Sequence, residues 1–118
     1  MTSDANLLQK RCVPCEGIGR ALTRPEAEEY LKKIDFWQLD PSAKMIFREY
    51  TMKNFLAAVQ LIQRIAEIAE AEHHHPDLHL RSYRKLRIEL STHALGGLSE
   101  NDFILAAKIN QLPTELKN

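Results

Sequence analysis

Cysteine is nearly absent from this chain. Only Cys12 and Cys15 occur among 118 residues, so no disulfide framework can hold the fold together. A charge surplus is absent too. Lys and Arg number 16, Asp and Glu 16, which argues against a dedicated nucleic-acid binder, whose affinity rests on a basic excess. No apolar run is long enough to span a bilayer, so no membrane role is expected. The start, Met1-Thr2-Ser3-Asp4-Ala5-Asn6, lacks the apolar stretch of a secretory signal. These absences point to an intracellular protein in a reducing compartment. Internal repeats and low-complexity segments are missing as well. What is present is a globular composition, 44% apolar and 27% charged, enough for one domain with a modest core.

Residues 1–22, with their C-x-x-C, read as a flexible tail: Pro14, Gly17 and Gly19 punctuate it and no period runs through it. Order is expected from Thr23, and residues 23–118 are read as a single domain. Thr23-Arg24-Pro25-Glu26 is a capping-box signal with proline in the first helical turn, and the helix should bury Ala27, Tyr30, Leu31 and Ile34. Phe36-Trp37-Gln38-Leu39 and residues 45–50 read as a hairpin around the turn Asp40-Pro41-Ser42-Ala43. From Met52 the period becomes helical, with Phe55, Leu56, Val59, Ile62, Ile65, Ala66 and Ala69 recurring up to Glu72 and Pro76 ending the helix. Leu78-His79-Leu80 and the alternating Leu86-Arg87-Ile88-Glu89-Leu90 give two more strands. Ser99-Glu100-Asn101-Asp102 caps a last helix carrying Phe103, Ile104, Ala107 and Ile109. The expected fold is α+β: a four-stranded antiparallel sheet with three helices on one face, in the order α-β-β-α-β-β-α.

The chemistry-bearing residues are histidines. His73, His74 and His75 are consecutive, so in an extended segment at most two share a pocket easily. His93 lies at the far end of the last strand, with the parity of Lys85, Arg87, Glu89 and Ser91, and meets the cluster if that strand pairs near the helix exit. Imidazole, with an ordinary pKa of about 6.5, serves as acid or base near neutral pH. The alternative is a set of solvated histidines at a helix C-terminus, where the dipole favours positive charge. A metal site built from His73, His75, His79, His93 and the cysteines matches no compact zinc spacing. The cysteine pair lacks the strand–helix context of a redox motif, Trp37 reads as packing, and the basic set Arg81, Arg84, Lys85 and Arg87 reads as a solvated face or a contact for an anionic partner.

The run Glu70-Ala71-Glu72-His73-His74-His75-Pro76, followed by Tyr83, His93 and Asp102, resembles the signature of the pterin-4a-carbinolamine dehydratases. Leu90-Ser91-Thr92-His93 and Gly96-Gly97-Leu98-Ser99-Glu100-Asn101-Asp102 are similar to the family too, and the likeness runs from about Thr23 to Ile109. It implies dehydration of 4a-hydroxytetrahydropterin to quinonoid dihydropterin and water, in recycling of the cofactor spent by aromatic amino-acid hydroxylases. It also implies His74, His75 and His93 as the catalytic set, with Glu70, His73, Pro76 and Thr92 lining the pterin pocket. Asp102 would support a histidine or simply cap the last helix. No metal or other cofactor is implied. Where some relatives carry an acidic residue before the His pair, this chain has His73; where some carry a tryptophan two residues after the proline, it has Leu78. Both bear on how the ring is gripped. The resemblance further implies a homodimer or homotetramer and a cytoplasmic location. Its rival is a protein-binding role, as a dimerisation cofactor of a transcription factor with a nuclear pool, through an exposed face of the helix over residues 52–72. An aromatic amino-acid hydroxylase is the other implied partner.

Overall fold

The computed structural model describes residues 5–14 and 17–118. Its elements are α1 (Ala5–Gln9), α2 (Arg24–Leu31), β1 (Gln38–Leu39), β2 (Ile46–Thr51), α3 (Phe55–Glu72), β3 (Asp77–Arg81), β4 (Lys85–Leu90) and α4 (Glu100–Asn110), with a short 3-10 turn, His93–Leu95, before α4. The four strands form one antiparallel sheet in the order β1-β2-β4-β3. The α+β class and the order of the expected elements hold, and α1 is an addition to them.

The pleat divides this sheet into a face packed on the helices and an open face. Ile46 pairs with Leu90, Arg48 with Ile88, and Tyr50 with Leu86, while β3 sets Leu78 beside Ile88 and Leu80 beside Leu86. These side chains take the helix side, where Ile46, Tyr50, Leu86, Ile88 and Leu90 join the core. The alternate positions, Glu49, His79, Arg87 and Glu89, form an ion-paired net on the other face: Arg87 Nε donates to Glu89 at 2.7 Å and its Nη1 to Glu49 at 3.0 Å.

α4 is the hub of the helical layer. It touches each of the other helices, and every residue from Asn101 to Ala107 is buried. A helix enclosed on all sides must satisfy any polar group it carries, which is why Asp102 in its first turn becomes important below. α2 starts where the capping box places it, with the Thr23 hydroxyl accepting from the Glu26 amide.

Several expectations are corrected. Order begins before Thr23: Leu7 is 2% exposed within the core, Cys12 N–H donates to Glu72 Oε1 at 2.8 Å, and Val13 exchanges two hydrogen bonds with the Asn101 side chain. An isolated five-residue helix carries no readable period, and it forms here because α4 offers an apolar surface. Cys15 lies outside the described residues. Phe36 is not in a strand: its φ is 77°, and the Phe36-Trp37 step turns the chain into a two-residue β1. α3 starts later than Met52, after an Asn54 cap, while Met52 bridges Leu116. The helix stops at His73, in the left-handed region at φ 54°, ahead of Pro76. Finally, α3 buries Ala57, Ala58, Leu61, Ile65 and Ala69, but leaves Phe55 (55%), Leu56 (63%) and Val59 (37%) exposed.

Candidate active site

The end of α3, the segment after β4 and the start of α4 converge on one buried polar network. His74 follows the left-handed residue that ends α3, and that reversal turns its ring inward. Its Nε2–H donates to Asp102 Oδ1 at 2.6 Å; the His74 side chain is 9% exposed and that of Asp102 0%. The second carboxylate oxygen of Asp102 accepts from the Thr92 hydroxyl at 2.9 Å and from the Ser99 amide at 3.0 Å. Thr92 Oγ1 and Ser99 Oγ share a further hydrogen bond of 2.7 Å. A bridge between Thr92 and Gly97 closes the loop that carries His93.

Asp102 therefore caps α4 and orients a histidine at once, and the two roles proposed for it are not alternatives. A buried carboxylate with three donors is well compensated. Because it holds Nε2–H, His74 is left with Nδ1 as its basic atom.

The other expected residues lie around this network in different states. His75 is exposed, and its Nε2 meets Glu70 Oε2 at 2.6 Å, so the two form a pair at the surface. His73 is exposed and Pro76 half-buried. His93 is not at the end of a strand: β4 stops at Leu90, and His93 opens the 3-10 turn, exposed, so strand parity does not set its direction. Its neighbour Thr92 ties that turn to Asp102 and hence to His74. Tyr83 sits away from the network, exposed at the β3–β4 turn, where Ser82 (φ 48°) and Tyr83 (φ 55°) both adopt left-handed backbone. His79 belongs to the open face of the sheet, paired with Glu89 at 3.1 Å. Two cavities, of about 440 and 360 Å³, lie elsewhere, on the open sheet face and beside Phe36.

Two features escaped the sequence reading. Ser99 belongs to the network as well as to the cap. Behind His74, Glu72 is buried against Lys108 Nζ at 2.5 Å, the Cys12 amide and Arg11. Burial pushes the Glu72 carboxyl up, but hydrogen bonds from Lys108 and Cys12 and the charges of Lys108 and Arg11 outweigh it and hold it below the ordinary carboxylate range. A depressed folded-state pKa gives stability that is present above the unfolded value and lost as pH falls through the folded one. Acid titration of the wild type should therefore show a loss of stability below the ordinary glutamate range that Glu72→Gln lacks, read as denaturation midpoints against pH. The Cys12 thiol is pushed up to about 12, first by burial and then by the Glu72 charge, so it is protonated at neutral pH and a poor nucleophile or metal ligand. Among the described residues, no group of three or more His, Cys, Asp or Glu side chains is arranged to hold a metal ion.

Comparison with known proteins finds matches over most of the chain. The sequence profile described as pterin 4 alpha carbinolamine dehydratase matches residues 20–112. The chain is 47% identical over 114 residues to Pterin-4-alpha-carbinolamine dehydratase 2, mitochondrial, of Arabidopsis thaliana, covering 94% of this chain and 61% of the plant protein. It thus spans somewhat under two thirds of that relative. A putative pterin-4-alpha-carbinolamine dehydratase of Halorhodospira halophila is 44% identical, covering 91% of this chain and 97% of the relative. The crystal structure of a transcriptional coactivator/pterin dehydratase from Brucella melitensis superimposes with a TM-score of 0.71 at 32% identity, covering 77% of this chain and 96% of that one. On these matches the chain belongs to the pterin-4-alpha-carbinolamine dehydratase family.

Proposed function

We propose that this protein dehydrates a pterin-4a-carbinolamine to quinonoid dihydropterin and water, by histidine general acid–base catalysis. The observation that carries the reading is the His74–Asp102 pair, buried and braced by Thr92 and Ser99, on the residues that match the family signature. In the proposed step the N5 lone pair forms the C4a–N5 double bond as the C4a–O bond breaks. His74 Nδ1 takes the proton from N5, and Asp102 stabilises the imidazolium that forms. The exposed imidazoles of His75 and His93 are the sources of the proton that lets the 4a-hydroxyl leave as water. Glu70, His73, Pro76 and Thr92 remain the proposed contacts to the ring, and the reaction serves tetrahydrobiopterin recycling. The nitrogen lone pair drives expulsion of water, so proton transfers worth on the order of 10²–10⁴-fold each are sufficient help. The test generates the carbinolamine with a hydroxylase and follows its disappearance with wild type, His74→Ala, His75→Ala and His93→Ala. Full activity in all three would sink the mechanism, and wild-type activity abolished by chelators would sink its metal-free form.

A second reading rests on the exposed Phe55, Leu56 and Val59 of α3, an apolar patch that fits self-association or capture of a transcription-factor partner. The Brucella neighbour carries the coactivator name alongside the dehydratase one. If this patch joins the homodimer or homotetramer, Leu56→Asp should lower the sedimentation mass while leaving the secondary structure intact. An unchanged mass would remove α3 from the interface. A cytoplasmic location with a nuclear pool fits the two readings. No helix among the described residues is long and apolar enough to cross a membrane, and the plant relative is named as mitochondrial.

A further inference from the structure

Away from the histidines, a cavity of about 360 Å³ opens between β2, the Phe36 turn and the C-terminal segment, lined by Phe36, Arg48, Tyr50, Leu116 and Lys117 together with Glu49 and Thr51. Three features there are not explained by packing. The Arg48 guanidinium is sandwiched, 4.2 Å from the Phe36 ring centroid and 4.1 Å from that of Tyr50. Its hydrogen bond goes to a neutral acceptor, Asn110 Oδ1 at 2.7 Å, and no carboxylate among the described residues neutralises it. Glu49, at the rim, is already engaged by Arg87. The Tyr50 side chain is 5% exposed, and the one group that addresses its hydroxyl is the Arg48 guanidinium, without a hydrogen bond of ordinary geometry between them. Phe36 holds a left-handed backbone, disfavoured for a non-glycine residue, while its ring is 67% exposed.

A half-buried cation without a counter-ion, a buried phenol addressed by that cation alone and a strained aromatic all border one cavity. We infer that this cavity is a binding site for a small aromatic carboxylate, distinct from the histidine site. The carboxylate would meet the Arg48 guanidinium, whose planar fork suits two parallel hydrogen bonds, with Lys117 adding charge at the rim and the Tyr50 hydroxyl within the same lining. The ring would lie against Phe36 and Leu116. Burial depresses the Arg48 guanidinium and raises the Tyr50 phenol, outweighing the attraction between the two, and an anion would relieve the first.

The protein carries its own reporter. Trp37, its sole tryptophan, donates Nε1–H to the same Asn110 Oδ1 at 2.8 Å. A ligand that draws on Arg48 should change the environment of that indole. The experiment titrates the full chain with benzoate, benzyl alcohol and acetate, reading Trp37 fluorescence and backbone amide shifts. Benzoate should saturate with a Kd on the order of 1 mM or tighter, shifting the amides around Phe36, Arg48 and Lys117. Benzyl alcohol, without the charge, and acetate, without the ring, should bind at least about tenfold more weakly, as should benzoate to Arg48→Met. Tyr50→Phe keeps the ring stack and should weaken benzoate several-fold with little change in unfolding midpoint, which keeps the test valid if Arg48→Met folds poorly. The absence of a saturable benzoate response, equal binding of benzyl alcohol, or undiminished binding to folded Arg48→Met or to Tyr50→Phe would each overturn the assignment.

Discussion

Asp102→Ala is expected to destabilise the fold by about 3–5 kcal/mol, the largest single-residue effect outside the apolar core. The carboxylate is fully buried and satisfies three donors at once: the His74 Nε2–H, the Thr92 hydroxyl and the Ser99 amide. Alanine leaves an imidazole and an amide without partners in a site too enclosed for easy hydration; Thr92 alone keeps a partner, in Ser99. It also removes the side chain that caps α4, on which α1, α2 and α3 all pack. Urea denaturation measures the loss, and a change below about 1 kcal/mol would show that the network is not structural.

Asp102→Asn separates structure from chemistry. The amide has nearly the same volume and keeps one acceptor, so the fold should survive at a smaller cost. A neutral partner no longer stabilises an imidazolium on His74, and it can favour the opposite tautomer, placing the proton on Nδ1 where the base is needed. Carbinolamine turnover should then fall on the order of 10²–10⁴-fold in kcat, with a smaller change in KM. A folded Asp102→Asn protein with wild-type kcat would leave Asp102 as a cap alone.

The parts of this fold that were legible are those whose signals are local. The Thr23 and Ser99 caps, the alternation of Leu86, Ile88 and Leu90, and the long helical period ahead of Glu72 each encode their own element within a few residues. Elements created by tertiary contact were not legible. α1 is too short to hold itself and exists by docking Leu7 into the core. Phe36 takes a backbone conformation disfavoured for its residue type, which no propensity would choose. The apolar count of α3 could not be divided between core and surface, because Leu56 and Leu61 look alike until the sheet is in place.

The site was legible to the same extent. The sequence marks His74, Thr92 and Asp102 by their match to the family signature and its flanks, and the fold brings them into hydrogen-bond contact although 28 residues separate His74 from Asp102. The strand expected to deliver His93 ends too early, and a closed loop between Thr92 and Gly97 presents that residue instead. Ser99 was visible only as a cap, because a serine one turn ahead of an aspartate gives no hint that its hydroxyl also meets Thr92.

The most direct measurement is the rate at which the 4a-carbinolamine is lost in buffer alone, with wild type, and with folded His74→Ala. A catalytic role for His74 predicts clear acceleration by the wild type and a variant slower by on the order of 10²–10⁴-fold in kcat. Acceleration by His74→Ala equal to that of the wild type, or none by the wild type, would contradict it.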